Sequence, residues 1–152
     1  MIQIPTWTGH PFIDIGLATL TAMSNVSAPA ELTDEHLTQA AQQLKYWYSR
    51  HNAARNYIST VFTNSHFTQP DKKPDKPGGM SVEQRETYAD RYLFAFQQDH
   101  FAEPGAVRCT FFPHFAALER AYRQHIPLLN GEEVGNFAGR GQDGLPVSGL
   151  AL

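Results

Sequence analysis

Seven histidines (His10, His36, His51, His66, His100, His114 and His125) and one cysteine, Cys109, are the residues of this chain best suited to metal or nucleophile chemistry. No two histidines stand in HxH or HxxxH spacing, so no strand or helix face offers a ready pair of imidazole ligands. Cys109 is followed by aromatic residues with no activating base beside it and reads as a buried structural thiol. Asp14, set between Ile13 and Ile15, reads as a helix-capping or backbone-bonded carboxylate. Catalysis has little foothold in this pattern, and the chain is read as a non-enzyme without cofactor.

Recognition chemistry has more. The stretch TNSHFTQPDKKPDKPGG, residues 63–79, combines three prolines, two glycines and three lysines and predicts a flexible basic loop over 63–80. Within it, Asn64, Ser65, His66 and Gln69 carry the donors and acceptors that read base edges, and Lys72, Lys73 and Lys76 carry the charge that meets phosphate. A second stretch, NFAGRGQDG from Asn136 to Gly144, sets Arg140 and Gln142 on a glycine-rich backbone that can approach phosphate closely. It is no P-loop, because no Lys-Ser/Thr follows the glycines. Each has a plainer reading: a solvated linker for the first, an ordinary turn for the second. Lys45, Arg50, His51, Asn52 and Arg55 form a polar helix face that is usually solvated surface. Tyr46, Trp47, Tyr48 and Tyr57 read as core or interface packing, and Arg108, Arg120 and Arg123 as salt-bridge partners of Glu119, Glu132 or Glu133.

These residues sit in a chain of 152 with a formal charge of −3, which excludes a globally basic nucleic-acid binder and confines any such role to local patches. A single cysteine excludes an internal disulfide framework and points to a reducing cytoplasm. No apolar run approaches the roughly 20 residues that span a bilayer, and no signal peptide opens the chain. A cytoplasmic protein without membrane contact is expected.

The elements that must position these groups follow from spacing and caps. Pro11 starts a short helix whose apolar Phe12, Ile15, Ala18, Leu20 and Ala22 are expected inside. A loop over 24–30 precedes a long helix, capped by Thr33 and running to about Phe62 through Leu37, Ala41, Leu44 and Tyr48. Ser81 and Gln84 form a capping box that opens a helix to about Gln98. Glu103-Pro104-Gly105 ends it. A strand near Val107–Phe111, a helix near Phe115–Gln124, a turn at Asn130-Gly131 and a final strand or hairpin arm over Leu145–Leu152 complete a mostly helical α+β fold with a small β knuckle at its C-terminal end.

GHPFIDIGLATLTAM near the start, VFTNSHFTQPDKKP after the long helix, and CTFFPHF followed by NFAGRGQDGLPVSGLAL at the end together resemble one family. It is the large subunit of type I-B CRISPR Cascade complexes, named for a CXXC…CXXC signature. The matching pieces keep the family's order and span essentially the whole chain. Family members are longer, so the resemblance implies that residues 1–152 are a single N-terminal domain of a larger subunit. Where the family has two CXXC pairs, this sequence has Cys109 with Phe112 and Ser148 with Ala151. Zinc needs four soft or imidazole ligands, and only Cys109 remains, with His114 and His125 wrongly spaced to substitute. Residues 105–152 are therefore expected to form a degenerate, metal-free knuckle held by apolar packing.

The resemblance implies a role in RNA-guided recognition of double-stranded DNA: examining the protospacer-adjacent motif and starting the R-loop, in antiviral defence or RNA-guided transposition. Implied partners are the guide CRISPR RNA, the other Cascade subunits, the target duplex, and downstream a nuclease-helicase or a transposition adaptor. The alternative is a purely structural module that docks onto other Cascade subunits without touching DNA.

Overall fold

The structure, a computed structural model, describes residues 7–62, 65, 67–68, 80–122, 125–126 and 144–152. Helix α1 (Pro11–Met23) starts with proline in its first position, where the missing N–H costs nothing. Asp14 reaches back from its first turn. Its carboxylate accepts hydrogen bonds from the N–H and hydroxyl of Thr8, each at 2.7 Å, and from the N–H of Gly9 at 2.9 Å. Partial desolvation pushes this carboxyl up, but the three bonds outweigh it and hold it below the ordinary aspartate value. The inward face of α1 is Leu17 and Thr21, with Phe12, Ile13 and Leu20 partly covered. Ile15, Ala18 and Ala22, expected inside, face outward, and Ile15 is 61 % exposed. The helix is apolar almost all round, so its periodicity could not single out one buried face.

Pro29–Glu31 forms a 3-10 turn within the expected loop. Thr33 then caps α2 (Asp34–Arg50) in a capping box whose third position is a histidine. The N–H of His36 donates to Thr33 Oγ1, and His36 Nδ1 accepts from the Thr33 N–H, each at 3.3 Å. The single helix expected to reach Phe62 is interrupted at His51, which is extended at φ −109°, ψ 114°, and α3 (Asn52–Val61) starts afresh. No glycine or proline marks the break. What sustains it is a pair of arginines: Arg55 donates to the carbonyls of Tyr48 (2.9 Å) and Ser49 (3.3 Å), and Arg85 Nε donates to the same Ser49 oxygen at 2.9 Å. The carbonyls orphaned at the end of α2 thus find donors from outside the helix.

Helix α4 (Val82–Leu93) opens on the Ser81/Gln84 capping box and packs along α2. It ends at Leu93 rather than Gln98, and Ala95–Gln98 winds on as a 3-10 turn.

The C-terminal half departs furthest from expectation. Residues 107–111 are bent chain with an isolated bridge from Arg108 to Ala116, beside another from Phe101 to Phe115, instead of a strand. The helix expected over 115–124 does not form in its described part, 115–122. Strand β1 (Glu119–Ala121) stands there and pairs antiparallel with β2 (Leu145–Val147), Glu119 opposite Val147 and Ala121 opposite Leu145. Long-range pairing overrides the local helical spacing. After Val147 the chain leaves the sheet for a 3-10 turn, Gly149–Ala151, so the final arm is only partly strand. The expected turn at Asn130-Gly131 lies outside the described residues. The fold is mostly helical, with a small two-stranded sheet near the C-terminus.

The core joins the two halves. Leu17, Leu32, Leu37, Ala41 and Phe96 meet Cys109, Phe112, Phe115, Ala121, Val147 and Ala151 in one cluster. The Gly149 turn lies so close to Ala95 that a Cβ at residue 149 would collide with the Ala95 carbonyl. Asp99 secures the approach: its carboxylate accepts the N–H of Gly149 at 2.5 Å and of Leu150 at 2.8 Å. Burial pushes this carboxyl up despite both bonds. Among the described residues, no helix is long and apolar enough to cross a membrane.

Two outcomes follow for stability. Gly149→Ala should destabilise the chain by about 3 kcal/mol in a denaturant melt, because backbone rather than a flexible side chain obstructs the new methyl; an unchanged midpoint would contradict the packing. Asp14 has a folded value below its ordinary 3.8, so its stabilisation is present above that value and is lost as pH falls through the folded one. Melts of Asp14→Asn between pH 2 and pH 6 should therefore show a shallower acid limb than the parent chain.

Candidate functional site

The knuckle is built from two short turns far apart in sequence. In the first, the N–H of Phe112 donates to Cys109 Sγ at 3.4 Å. In the second, the N–H of Ala151 donates to the Ser148 carbonyl at 3.1 Å. Three strands of contact bring them together. The N–H and hydroxyl of Thr110 donate to the Pro146 carbonyl at 2.9 and 3.0 Å, the N–H of Leu118 donates to Val147 O at 2.8 Å, and β1 pairs with β2. Pro146 lacks an N–H, which suits a position whose carbonyl alone is used.

All four positions read from the sequence as a degenerate cysteine motif are interior: Cys109 and Phe112 are 1 % exposed, Ser148 0 % and Ala151 5 %. Phe112 is among the largest fully buried side chains and belongs to the same core cluster as Cys109. Ser148 Oγ is buried with no hydrogen-bond partner among the described residues. His114 packs against Phe115, ring centroids 4.1 Å apart, with its Nε2 buried and likewise unpartnered. His125 Nδ1 accepts the Tyr122 N–H at 3.1 Å. No group of three or more His, Cys, Asp or Glu suited to a metal occurs among the described residues.

Of the loop residues proposed for DNA, only Ser65 is described; Asn64, His66, Gln69, Lys72, Lys73 and Lys76 lie outside the described residues, as do Arg140 and Gln142. Ser65 is 4 % exposed. Its N–H donates to Phe62 O, its hydroxyl accepts the Phe67 N–H, and its carbonyl accepts the Thr68 N–H. The Ser65 hydroxyl, read from the sequence as a base-edge contact, is turned into a tight turn that follows α3. Phe67 follows it onto the helices, edge-on to Tyr48 at 4.9 Å and to Tyr92 at 6.2 Å.

The polar face of α2 and α3 is largely occupied internally. Lys45 pairs with Asp90 at 2.6 Å and Arg50 with Glu86 at 2.8 Å, stitching α2 to α4. Of the four aromatics expected in packing, Tyr48 is core, while Tyr46, Trp47 and Tyr57 are exposed, Tyr57 at 71 %. Arg108 and Arg120 donate to the carbonyls of Pro113 (2.9 Å) and Gly144 (2.8 Å); it is Arg91 that approaches Glu119, at 3.5 Å. Arg123, Glu132 and Glu133 lie outside the described residues.

Sequence reasoning missed Arg85 and Asp99. Each acts on backbone of a distant segment, and no local motif announces such a role. Compared with family models, curated proteins and solved structures, the chain matches none.

The knuckle geometry has a checkable consequence. Ser148→Ala removes a buried hydroxyl without partner and should raise stability by about 1 kcal/mol, where a destabilisation of that size would reveal a bond to it. Replacing Phe112, Ser148 and Ala151 together by cysteine should create a site that retains one zinc per chain through gel filtration, measured by elemental analysis, if the two turns face one centre.

Proposed function

We propose that this chain is a non-catalytic segment of the large subunit of a type I-B CRISPR surveillance complex, contributing to recognition of the protospacer-adjacent motif in target duplex DNA and to R-loop initiation. The observation that supports the reading is the meeting of the Cys109–Phe112 and Ser148–Ala151 turns in one buried unit. These positions stand where the family that the chain resembles has its two CXXC pairs, and a pair of knuckles has to converge. In this reading Asn64, His66 and Gln69 contact base edges, Lys72, Lys73 and Lys76 contact phosphates, and Arg140 and Gln142 approach the backbone. The guide RNA and the other Cascade subunits hold the chain in place. A nuclease-helicase or a transposition adaptor acts downstream.

A second reading, docking without DNA contact, draws on a different observation. Ile15 on α1 and Tyr57 and Val61 on α3 are large apolar side chains left open, and α3 buries no residue at all. Single exposed hydrophobics are ordinary, but a helix with no fully buried residue leaves much of its surface open to a neighbour.

Binding of duplexes with randomised sequence beside a guide-matched target, measured on guide complexes assembled with and without the chain, decides between the two. Motif recognition predicts that sequence preference beside the target vanishes without the chain. It also predicts that alanine at Lys72, Lys73 and Lys76 flattens the dependence of log affinity on log salt by roughly 3, at about 0.9 per lost phosphate contact. Preference and slope that persist would leave the chain as a docking piece.

A further inference from the structure

Arg55 on α3 and Arg85 on α4 converge on one oxygen, the Ser49 carbonyl, at 3.3 and 2.9 Å. Their other described bonds also go to neutral acceptors: Arg55 to Tyr48 O and the Asn52 side-chain oxygen, Arg85 to Met80 O. Among the described residues neither guanidinium has a carboxylate within 4.0 Å, and Arg55 Nε and Arg85 Nη2 donate to nothing. The other two cations of the same α2–α4 seam, Lys45 and Arg50, each have a carboxylate partner. Lys45 and Arg50 thus have carboxylates within 4.0 Å, whereas Arg55 and Arg85 stand side by side and half-buried, with the exposed Glu83 carboxylate reaching Arg85 through its field alone.

Among the described residues the pair lacks a close counter-charge. Burial, and next the field of Arg85, hold Arg55 below the ordinary arginine value, with Tyr48 offsetting them in part. Carbonyl dipoles from the end of α2 compensate in part. An anion that accepts from both guanidinium groups would complete the site, and tetrahedral phosphate matches their donor forks.

The position adds to the case. Arg85 holds the carbonyl of Met80, the residue before the Ser81 cap, while α3 ends at Val61 and the Ser65 turn bonds back to Phe62. The two arginines thus lie at the root of the 63–80 segment, whose lysines carry the proposed phosphate contacts.

We propose that Arg55 and Arg85 form a phosphate seat at this root, which takes one phosphate of a nucleic-acid backbone. The seat rests on the geometry; the identity of its occupant rests on the DNA reading above.

Two measurements test it. In the first, Arg Nε–Hε NMR signals of the full chain are followed during titration with inorganic phosphate and pyrophosphate, with chloride at matched ionic strength as control. Arg55 and Arg85 should shift together and saturably with the phosphates alone; shifts matching those in chloride overturn the seat. In the second, Arg55→Lys/Arg85→Lys, which keeps charge but loses the forks, is assembled into the guide complex after a thermal melt confirms folding. Target-DNA affinity should fall roughly tenfold. If the double variant does not fold, Arg55→Lys alone is used, with a fall of about threefold expected.

Joint shifts without loss of affinity assign the seat to free phosphate and overturn the backbone occupant. If removing the whole chain abolishes sequence preference while the lysine variants bind normally, the DNA reading survives and this inference fails. If the complex binds DNA equally well without the chain, yet phosphate shifts both arginines, the DNA reading fails and the seat stands.

Discussion

Two backbone N–H groups, of Gly149 and Leu150, end on the carboxylate of Asp99, and the C-terminal half of the molecule depends on that clasp. The Gly149–Ala151 turn has too few contacts of its own to hold a fixed place; a three-residue 3-10 turn is not a stable unit. Asp99 satisfies its leading donors, and the bare Cα of Gly149 lets it lie flat against Ala95. With the turn fixed, Ala151 enters the core, Ser148 is pulled under, and β2 is held in register beside β1. Burial disfavours the charge of Asp99, so part of what the clasp contributes is spent on keeping a carboxylate ionised there.

Magnitudes explain why such a clasp is needed. A structural zinc in a small knuckle contributes on the order of 10 kcal/mol to folding. Burying one phenylalanine contributes roughly 2 to 3 kcal/mol. Packing of Phe112 alone therefore holds these turns with far less energy than a bound metal would. The remainder comes from outside the knuckle, through the cluster that Phe112 and Phe115 share with Leu17, Leu37 and Phe96. The buried hydroxyl of Ser148, without a hydrogen-bond partner among the described residues, subtracts from the stability of this interior.

What was legible in the sequence was local. Thr33, Ser81 and Pro11 mark helix starts because their side chains act within three residues, and all three elements begin where those signals stand. Interior placement of Cys109 was legible from its aromatic neighbours and lack of an activating base, and that of Phe112 from the resemblance. The break at His51 was not, since it is sustained by Arg85, a residue of another helix. The strand at Glu119–Ala121 was not, since its partner lies at Leu145–Val147 and the helical spacing of Phe115, Ala116 and Glu119 carries no trace of it. Ser65 looked like a recognition residue because a serine in a lysine-rich loop is ordinarily exposed; Phe67, two positions on, anchors the segment on Tyr48 and takes Ser65 inward. For the candidate site the consequence is that its frame can be seen in the turns, while the arginines at its root owe their placement to tertiary contacts.

The same clasp sets an order of events during synthesis. Asp99 and Gly149 are 50 positions apart, and at about 5 to 20 residues per second that interval lasts roughly 3 to 10 seconds. Throughout it the helical layer has emerged while its floor at Ala95 and Phe96 is still uncovered, far longer than hydrophobic collapse takes. Until the Gly149 turn emerges the nascent chain therefore presents this apolar surface uncovered, which makes this stretch of the ribosome's progress a window in which a chaperone has most to shield.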